Sequence, residues 1–436
     1  MEKFFTLFTL GINYLYRYRR RYGFLLAALV FCFAVVTFIT SSRDRMIHNV
    51  YYSAQQHYAG DLVAVANNKE ISVTNHFSAD NIVTVLNAAD KSGIKARYTV
   101  LRTFLGDKGT VYFNGNAIMQ KYVIGCDWEN EEHLFSKMNF TSPVNYPIGD
   151  DGIILSAPVA DDLGAKIGDS VVLETENRFS QKNTGQFIIK GIVKDTSLFG
   201  YYKVYISRLS LNRLLLFNDD DCSFIGFFFS NPSSAEKNRI KLQPVLEEVI
   251  QTGPLVYSRD EMEREKEKAF SGTRVFLYTM SVYLSEISDL LEALQIITYA
   301  LYGMMLLIIF VSAAVTYRLI LHERTREMGV MRAIGFFGND LRIVLWTEII
   351  ILGFISLAAG FLLSIILSAA ASFMSFAWFP GFEIFLNNGK LTALYLPGSV
   401  IINIVLTLLI LVAAAIVPSI KASTKNLPSL LSGEPI

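Results

Sequence analysis

Charge is missing from four stretches of the chain, each long enough to cross a bilayer. Tyr22–Ser42 has the apolar run Phe24–Ile39 at its centre, and Ala293–Tyr317 lies between Glu292 and Arg318. A third stretch runs past Glu348 through Leu352, Gly360 and Leu367 to Phe373, and the fourth, Gly398–Ile420, ends at Lys421. About 20 apolar residues rising 1.5 Å each span a hydrocarbon core of about 30 Å. Four transmembrane α-helices are therefore predicted, over 22–42, 293–317, 345–373 and 398–420.

Residues 43–290 alternate on a shorter scale and predict a large α+β domain. Asp61–Ala66 reads as a strand, and Ser78–Asp90 as a helix capped by Ser78, with apolar Ile82, Val83, Val85 and Leu86. Lys95–Phe104, Thr110–Phe113 and Gln120–Ile124 read as separate strands. Ser234–Gln251 reads as a helix with Ile240, Leu242, Val245, Leu246 and Val249 on one side, and Leu255–Tyr257 as a strand. Between these halves, Gly168 and Asp169 turn into a strand from Ser170 to Glu174, with Gln186–Val193 as its antiparallel partner. A β-rich subdomain inserted into a βαβ-like one is the economical reading. The polar tip Glu176–Gly185, with Asn177, Arg178, Phe179 and Lys182, is either a solvated hairpin or a partner-docking finger. Two flanks read as helical stalks. One has Met46, Val50 and Ala54 at steps of four; the other runs over 260–294, where Gly272 is a possible break.

Composition agrees with membrane embedding. The 436 residues are 52% hydrophobic and 18% charged, with mean hydropathy +0.36, above the apolar and below the charged share of ordinary soluble domains. The 39 basic and 39 acidic residues cancel, which removes any electrostatic reason to expect nucleic acid. Their placement is uneven: 43–290 carries an acidic excess and the remainder a basic one. Lys3, Arg17, Arg19, Arg20 and Arg21 precede the first span. Arg318, Arg324, Arg326, Arg332 and Arg342 lie between the second and third, Lys421 and Lys425 follow the fourth, and the 374–397 loop holds only Lys390. Basic flanks stay cytoplasmic. The basic N-terminus (1–21), the 318–344 loop and the 421–436 tail are thus expected inside, and 43–290 and 374–397 outside. The first span reads as a retained anchor, since no small-residue cleavage site follows it.

Catalytic chemistry is sparse. The five histidines show no HExxH or Cys/His spacing, and no acidic cluster has the EF-hand pattern, so neither a metal nor a catalytic site is expected. A disulfide between Cys126 and Cys222 is chemically open in an oxidising compartment, while Cys32 lies within a span. No GxxxxGK[ST] sequence occurs, the nearest fragment being Gly389-Lys390, so ATP phosphates are not cradled by that route.

The most informative stretch is the loop YRLILHERTREMGVMRAIGFFGNDLRIVLWTE. Its charged residues predict a helical end with ion pairs three or four residues apart. Gly335 and Gly338 then break the backbone, and Asp340 can cap a new helix. The result is a short helix between two spanning ones. Glu348, near the inner end of the third span, is costly there unless it snorkels or pairs with an arginine such as Arg342 or Arg332. Gly353 and Gly360 share a helix face that permits close contact, either within the chain or across a dimer.

Glu323, Arg324, Arg326, Glu327, Gly329, Arg332, Ala333 and Gly335 follow a pattern like ERxREhGhhRAhG, and here the chain resembles the FtsX-like permease family. The likeness continues through Glu348, Gly353 and Gly360 to Pro418, Ala422, Pro428 and Leu430, and Ile153–Gly191 looks like the periplasmic core domain of MacB-type and LolC/LolE-type permeases. The resemblance implies a non-catalytic permease subunit of a mechanotransmission ABC transporter in a bacterial inner membrane. Residues 324–338 would dock a cytosolic ATPase subunit that binds ATP and Mg²⁺, with no cofactor in this chain. It also implies a second permease copy or paralogue, a porter-like outer part, and a periplasmic carrier or outer-membrane component. Lipoprotein release, as in LolC/LolE, is the leading role; MacB-like efflux of toxins or peptides and FtsX-like regulation of cell-wall hydrolases are the alternatives.

Overall fold

A computed structural model describes residues 9, 13–17, 19–68, 75–144, 148–194, 202–268, 270–376, 385–386 and 390–424. Lys3, most of the 1–21 segment, much of the 374–397 loop, and the tail with Lys425, Pro428 and Leu430 lie outside the described residues.

The first span and the segment behind it form one helix, α1 (Arg19–Tyr58), of 40 residues. No Gly or Pro interrupts it from Phe24 to Tyr58, so nothing breaks the ladder of helical bonds. Then follow β1 (Leu62–Asn68), α2 (Ala79–Lys91), β2 (Tyr98–Phe113), β3 (Asn116–Cys126), α3 (Trp128–Phe135), β4 (Gly152–Ser156), α4 (Ala157–Leu163), β5 (Ser170–Glu176), β6 (Lys182–Val193), β7 (Lys203–Ser207), α5 (Arg208–Leu215) and β8 (Phe224–Phe228). The chain continues through α6 (Ala235–Glu247), α7 (Arg259–Glu267), β9 (Thr273–Thr279), α8 (Met280–Tyr283), α9 (Ser288–Glu323), α10 (Thr325–Ala333), α11 (Gly338–Phe373) and α12 (Pro397–Thr424).

Two compact units result. One holds residues 47–290 with 376–389; the other holds 1–46, 291–375 and 390–436. Among the described residues, four helices, α1, α9, α11 and α12, are long and apolar enough to cross a membrane. Their shared core includes Leu25, Leu29, Ile309, Tyr317, Leu345, Ile349 and Leu411.

The β-rich unit is built around one long strand. The first half of β2, Tyr98–Arg102, pairs with β8 in an antiparallel sheet ordered β2-β8-β1-β9. Here β1-α2-β2 and β8-α6-β9 are split βαβ units, each with the other's strand between its own, which is a ferredoxin-like arrangement. The second half of β2 pairs with both β3 and β5, and the series β3-β7-β4-β6-β5-β2 closes through the β2–β3 pairing into a six-stranded barrel. Leu105, Val123, Leu155, Leu173, Ile189 and Ile206, one from each strand, share its buried apolar core. The expected insertion is therefore a closed barrel seated between the second and third strands of the other sheet.

Several local expectations are corrected. The expected strands Lys95–Phe104 and Thr110–Phe113 merge into one 16-residue strand that begins at Tyr98, because the residues between them form a bulge at Gly106/Gly109 rather than a turn. On α6, Leu242 and Leu246 are buried beside Arg239 and Gln243, whereas Ile240 is exposed, as is Val249 in the turn beyond its end. Leu255–Tyr257 forms no strand; the Arg239 guanidinium donates to the Val256 carbonyl at 2.7 Å. The second stalk is not one helix. TRVFLYT pairs along β1 as β9, since its β-branched and aromatic residues suit a strand; the helical segment before it already ends at Glu267, where Lys268 turns extended at ψ 144°, and Gly272 follows at φ +73° just ahead of the strand. Cys126 and Cys222 are free thiols in separate clusters, and burial pushes Cys222 up to about 12.

Candidate functional site

The turn from α9 to α11 is built as its glycines and charges predict. α9 ends at Glu323, Arg324 leaves helical geometry at φ −98° and ψ 12°, and α10 follows at once. Gly335 closes the turn at φ +104°, a conformation that disfavours any side chain. The Phe337 N–H then donates to Asp340 Oδ2 at 3.1 Å, so Asp340 satisfies a donor at the start of α11.

A buried ion pair fixes this turn. Arg324 Nη1 lies 2.7 Å from Glu348 Oε2, and both side chains are fully buried. The Tyr22 hydroxyl donates to the same carboxylate oxygen at 2.6 Å, and Arg324 Nη1 donates to that hydroxyl at 3.2 Å. The guanidinium also lies 4.7 Å from the centre of the Tyr14 ring, whose hydroxyl reaches the Met331 sulfur at 3.7 Å. The partner of Glu348 is thus Arg324, not Arg332 or Arg342. Those two bind the end of α12: Arg332 donates to the Ser423 carbonyl at 3.2 Å and Arg342 to its hydroxyl at 2.7 Å. The reason is the helix break, which turns position 324 inward while 332 and 342 face the neighbouring helix end. Sequence reasoning does not find Tyr14, Tyr22 or Ser423. The only signal for Tyr22 is a polar group at the mouth of an apolar run.

The short helix has two faces. Met328, Gly329 and Met331 are buried with Arg324. Arg326, Val330, Ala333, Ile334 and Phe337 are exposed, Val330 at 54%, Ile334 at 71% and Phe337 at 72%. Glu323 and Gly335 are also exposed, and Glu327 and Arg332 are half-buried. The eight motif residues therefore divide: Arg324 and Gly329 hold the helix, and Arg326 and Ala333 lie on the face it presents.

Gly353 and Gly360 serve packing within the chain. A Cβ on Gly360 would stand 2.9 Å from the Val30 carbonyl oxygen and 3.0 Å from the Phe33 ring; one on Gly353 would stand 2.9 Å from Leu408 and Leu411. The hairpin tip is shorter than its polar stretch, because pairing extends to Glu176 and Lys182. Asn177 is buried and its side chain accepts from the Phe179 and Gln181 N–H groups at 2.9 and 3.1 Å, so it shapes the turn. Arg178 stacks on Phe179, and Lys182 pairs with Glu174 at 2.8 Å. Among the described residues, no group of three or more His, Cys, Asp or Glu gathers to hold a metal.

Four apolar helices packed around a buried ion pair define a membrane protein. Residues 299–427, which include α10 and its clamp partner Glu348, match the family model described as FtsX-like permease C-terminal. Among solved structures, the periplasmic region of MacB from Actinobacillus actinomycetemcomitans aligns over 54% of this chain and 96% of its own, at 10% identity and a TM-score of 0.31. A domain of a protein classed as a permease, from Porphyromonas gingivalis, aligns over 51% and 89%, at 10% identity and a TM-score of 0.26. No curated protein matches the chain.

Proposed function

We propose that this chain is the membrane subunit of a mechanotransmission-type ABC transporter, working as a dimer in a bacterial inner membrane. Energy enters at α10 from a separate cytosolic ATPase that binds the ATP and Mg²⁺. The observation that carries the reading is the division of labour on α10. One face is locked by Arg324, Glu348 and Tyr22, and the other presents Arg326, Val330, Ala333 and the highly exposed Ile334. An apolar patch on a rigidly held helix is suited to a protein partner, since little order is lost on binding. The basic flanks favour this turn inside and the β-rich unit outside. At 1.5 Å per residue the 40-residue α1 and 36-residue α9 are about 60 and 54 Å long, nearly twice a hydrocarbon core. Both are long enough to continue beyond the bilayer as rods able to carry displacement. The cargo we propose is a lipid-anchored protein released from the outer leaflet.

Val330→Asp with Ile334→Asp leaves the buried face untouched. Co-purification of the ATPase subunit is expected to fall by about 100-fold, the loss of two apolar contacts at about 1.5 kcal/mol each. Wild-type recovery of the ATPase with this double variant would sink the reading.

A further inference from the structure

The end of α1 sits in a socket within the β-rich unit. A helix leaves its last carbonyls without partners, and here three of them are accounted for. The Gly60 N–H takes the Gln55 carbonyl at 3.2 Å, a Schellman bond made possible by Ala59 at φ +63°. The Gln56 and His57 carbonyls are both taken by Nη1 of Arg102, the latter at 3.3 Å. Arg102 is fully buried, and its other nitrogens fork onto Glu131 Oε2 at 2.8 and 2.5 Å. Glu131 is itself held, its Oε1 accepting from the Asp127 N–H at 3.2 Å. A cation at a helix C-terminus also answers the negative end of the helix dipole.

The place of Arg102 matters as much as its bonds. It is the last residue of β2 paired with β8, opposite Phe224, and the next residue, Thr103, is the first paired with β3. It therefore stands where the ferredoxin-like sheet meets the barrel. The turn after α1 is pressed against the same sheet: a Cβ on Gly226 would fall 1.5 Å from the Ala59 carbonyl oxygen. Tyr58 stacks on Tyr283, at the end of α8, with ring centres 3.9 Å apart.

We propose that Arg102 is the positioning residue that fastens the end of α1 to sheet and barrel together, so that movement of this helix displaces the whole β-rich unit. The role in transmission rests on the transporter reading; the fastening does not. Removing Arg102 alone would strand the Glu131 charge, so the informative variant of the full chain is Arg102→Met with Glu131→Leu, which removes both charges and keeps the volume. Hydrogen exchange at residues 52–60 is expected to accelerate about tenfold, the loss of roughly one net hydrogen bond, while β1 and β8 keep their protection. Arg102→Lys, which keeps the charge and loses the fork, should fall between. Unchanged exchange at 52–60 in the double variant overturns the proposal. With the ATPase subunit and ATP added, the double variant should hydrolyse ATP at the wild-type rate while the nucleotide-dependent exchange change in the β-rich unit shrinks about tenfold; its full retention also overturns the proposal. If the wild-type chain shows no response to nucleotide, the transporter reading falls, and exchange at 52–60 still decides the fastening.

Discussion

Arg324 and Glu348 are 24 residues apart and neither is exposed to water. Stripping one charge of its partner in such surroundings costs about 3–5 kcal/mol, while replacing both by apolar residues of similar size is often neutral. Glu348→Ala is therefore expected to lower the thermal midpoint of the detergent-solubilised protein sharply, and Arg324→Met with Glu348→Leu to recover most of the loss. Additive losses in the double variant would show that the two side chains do not act as a pair. His76 offers a second check. Burial is the main cause that holds its pKa below the usual histidine value, against the opposing pull of Asp221 at 3.6 Å. Because the folded state binds this proton less readily than the unfolded chain, the stability contribution is complete above about pH 6.5 and is lost as pH falls through the interval below it. Unfolding midpoints measured from pH 7 to pH 5 should thus drop less steeply for His76→Gln than for the wild type. The cost of placing Glu348 in a span is legible from the residue itself; that it is met by pairing, and with Arg324, is not, because this depends on how α9 breaks.

Between elements, Gly360 is where α11 meets the α1 backbone. Gly360→Leu forces a branched side chain into that contact, and overpacking of this kind costs about 1–3 kcal/mol. A fall in thermal stability without a change in oligomeric state, read by light scattering in detergent, is the expected result. Dissociation of an otherwise stable protein would instead place Gly360 at a subunit interface. The seven-residue spacing of Gly353 and Gly360 marks a close-packing face, yet the same pattern serves a helix of this chain or of another copy. Short strands are harder to read. TRVFLYT passes for part of a helical stalk because it precedes a true helix and its apolar residues fit either period, and β2 looks like two strands because a bulge carries the same Gly and Asp residues as a turn.

At the scale of the whole molecule, the proposed sidedness and cargo can be tested together. In spheroplasts, a membrane-impermeant amine reagent should label Lys182, whose side chain is 75% exposed, and depletion of this protein should reduce release of labelled lipoprotein. Unchanged release would remove the lipoprotein role, and a protected Lys182 would reverse the orientation. The four spans, the interposed α+β mass and the short helix between two of the spans follow from the sequence alone, because hydrophobic length, basic flanks and glycine breaks are local properties of a chain in a bilayer. The barrel closure through β2 and β3, the Arg324–Glu348–Tyr22 clamp and the Arg102 socket are decided only by the tertiary structure. Each joins elements that local patterns leave unconnected, and which buried donor meets which acceptor is settled by how those elements pack rather than by any pattern along the chain.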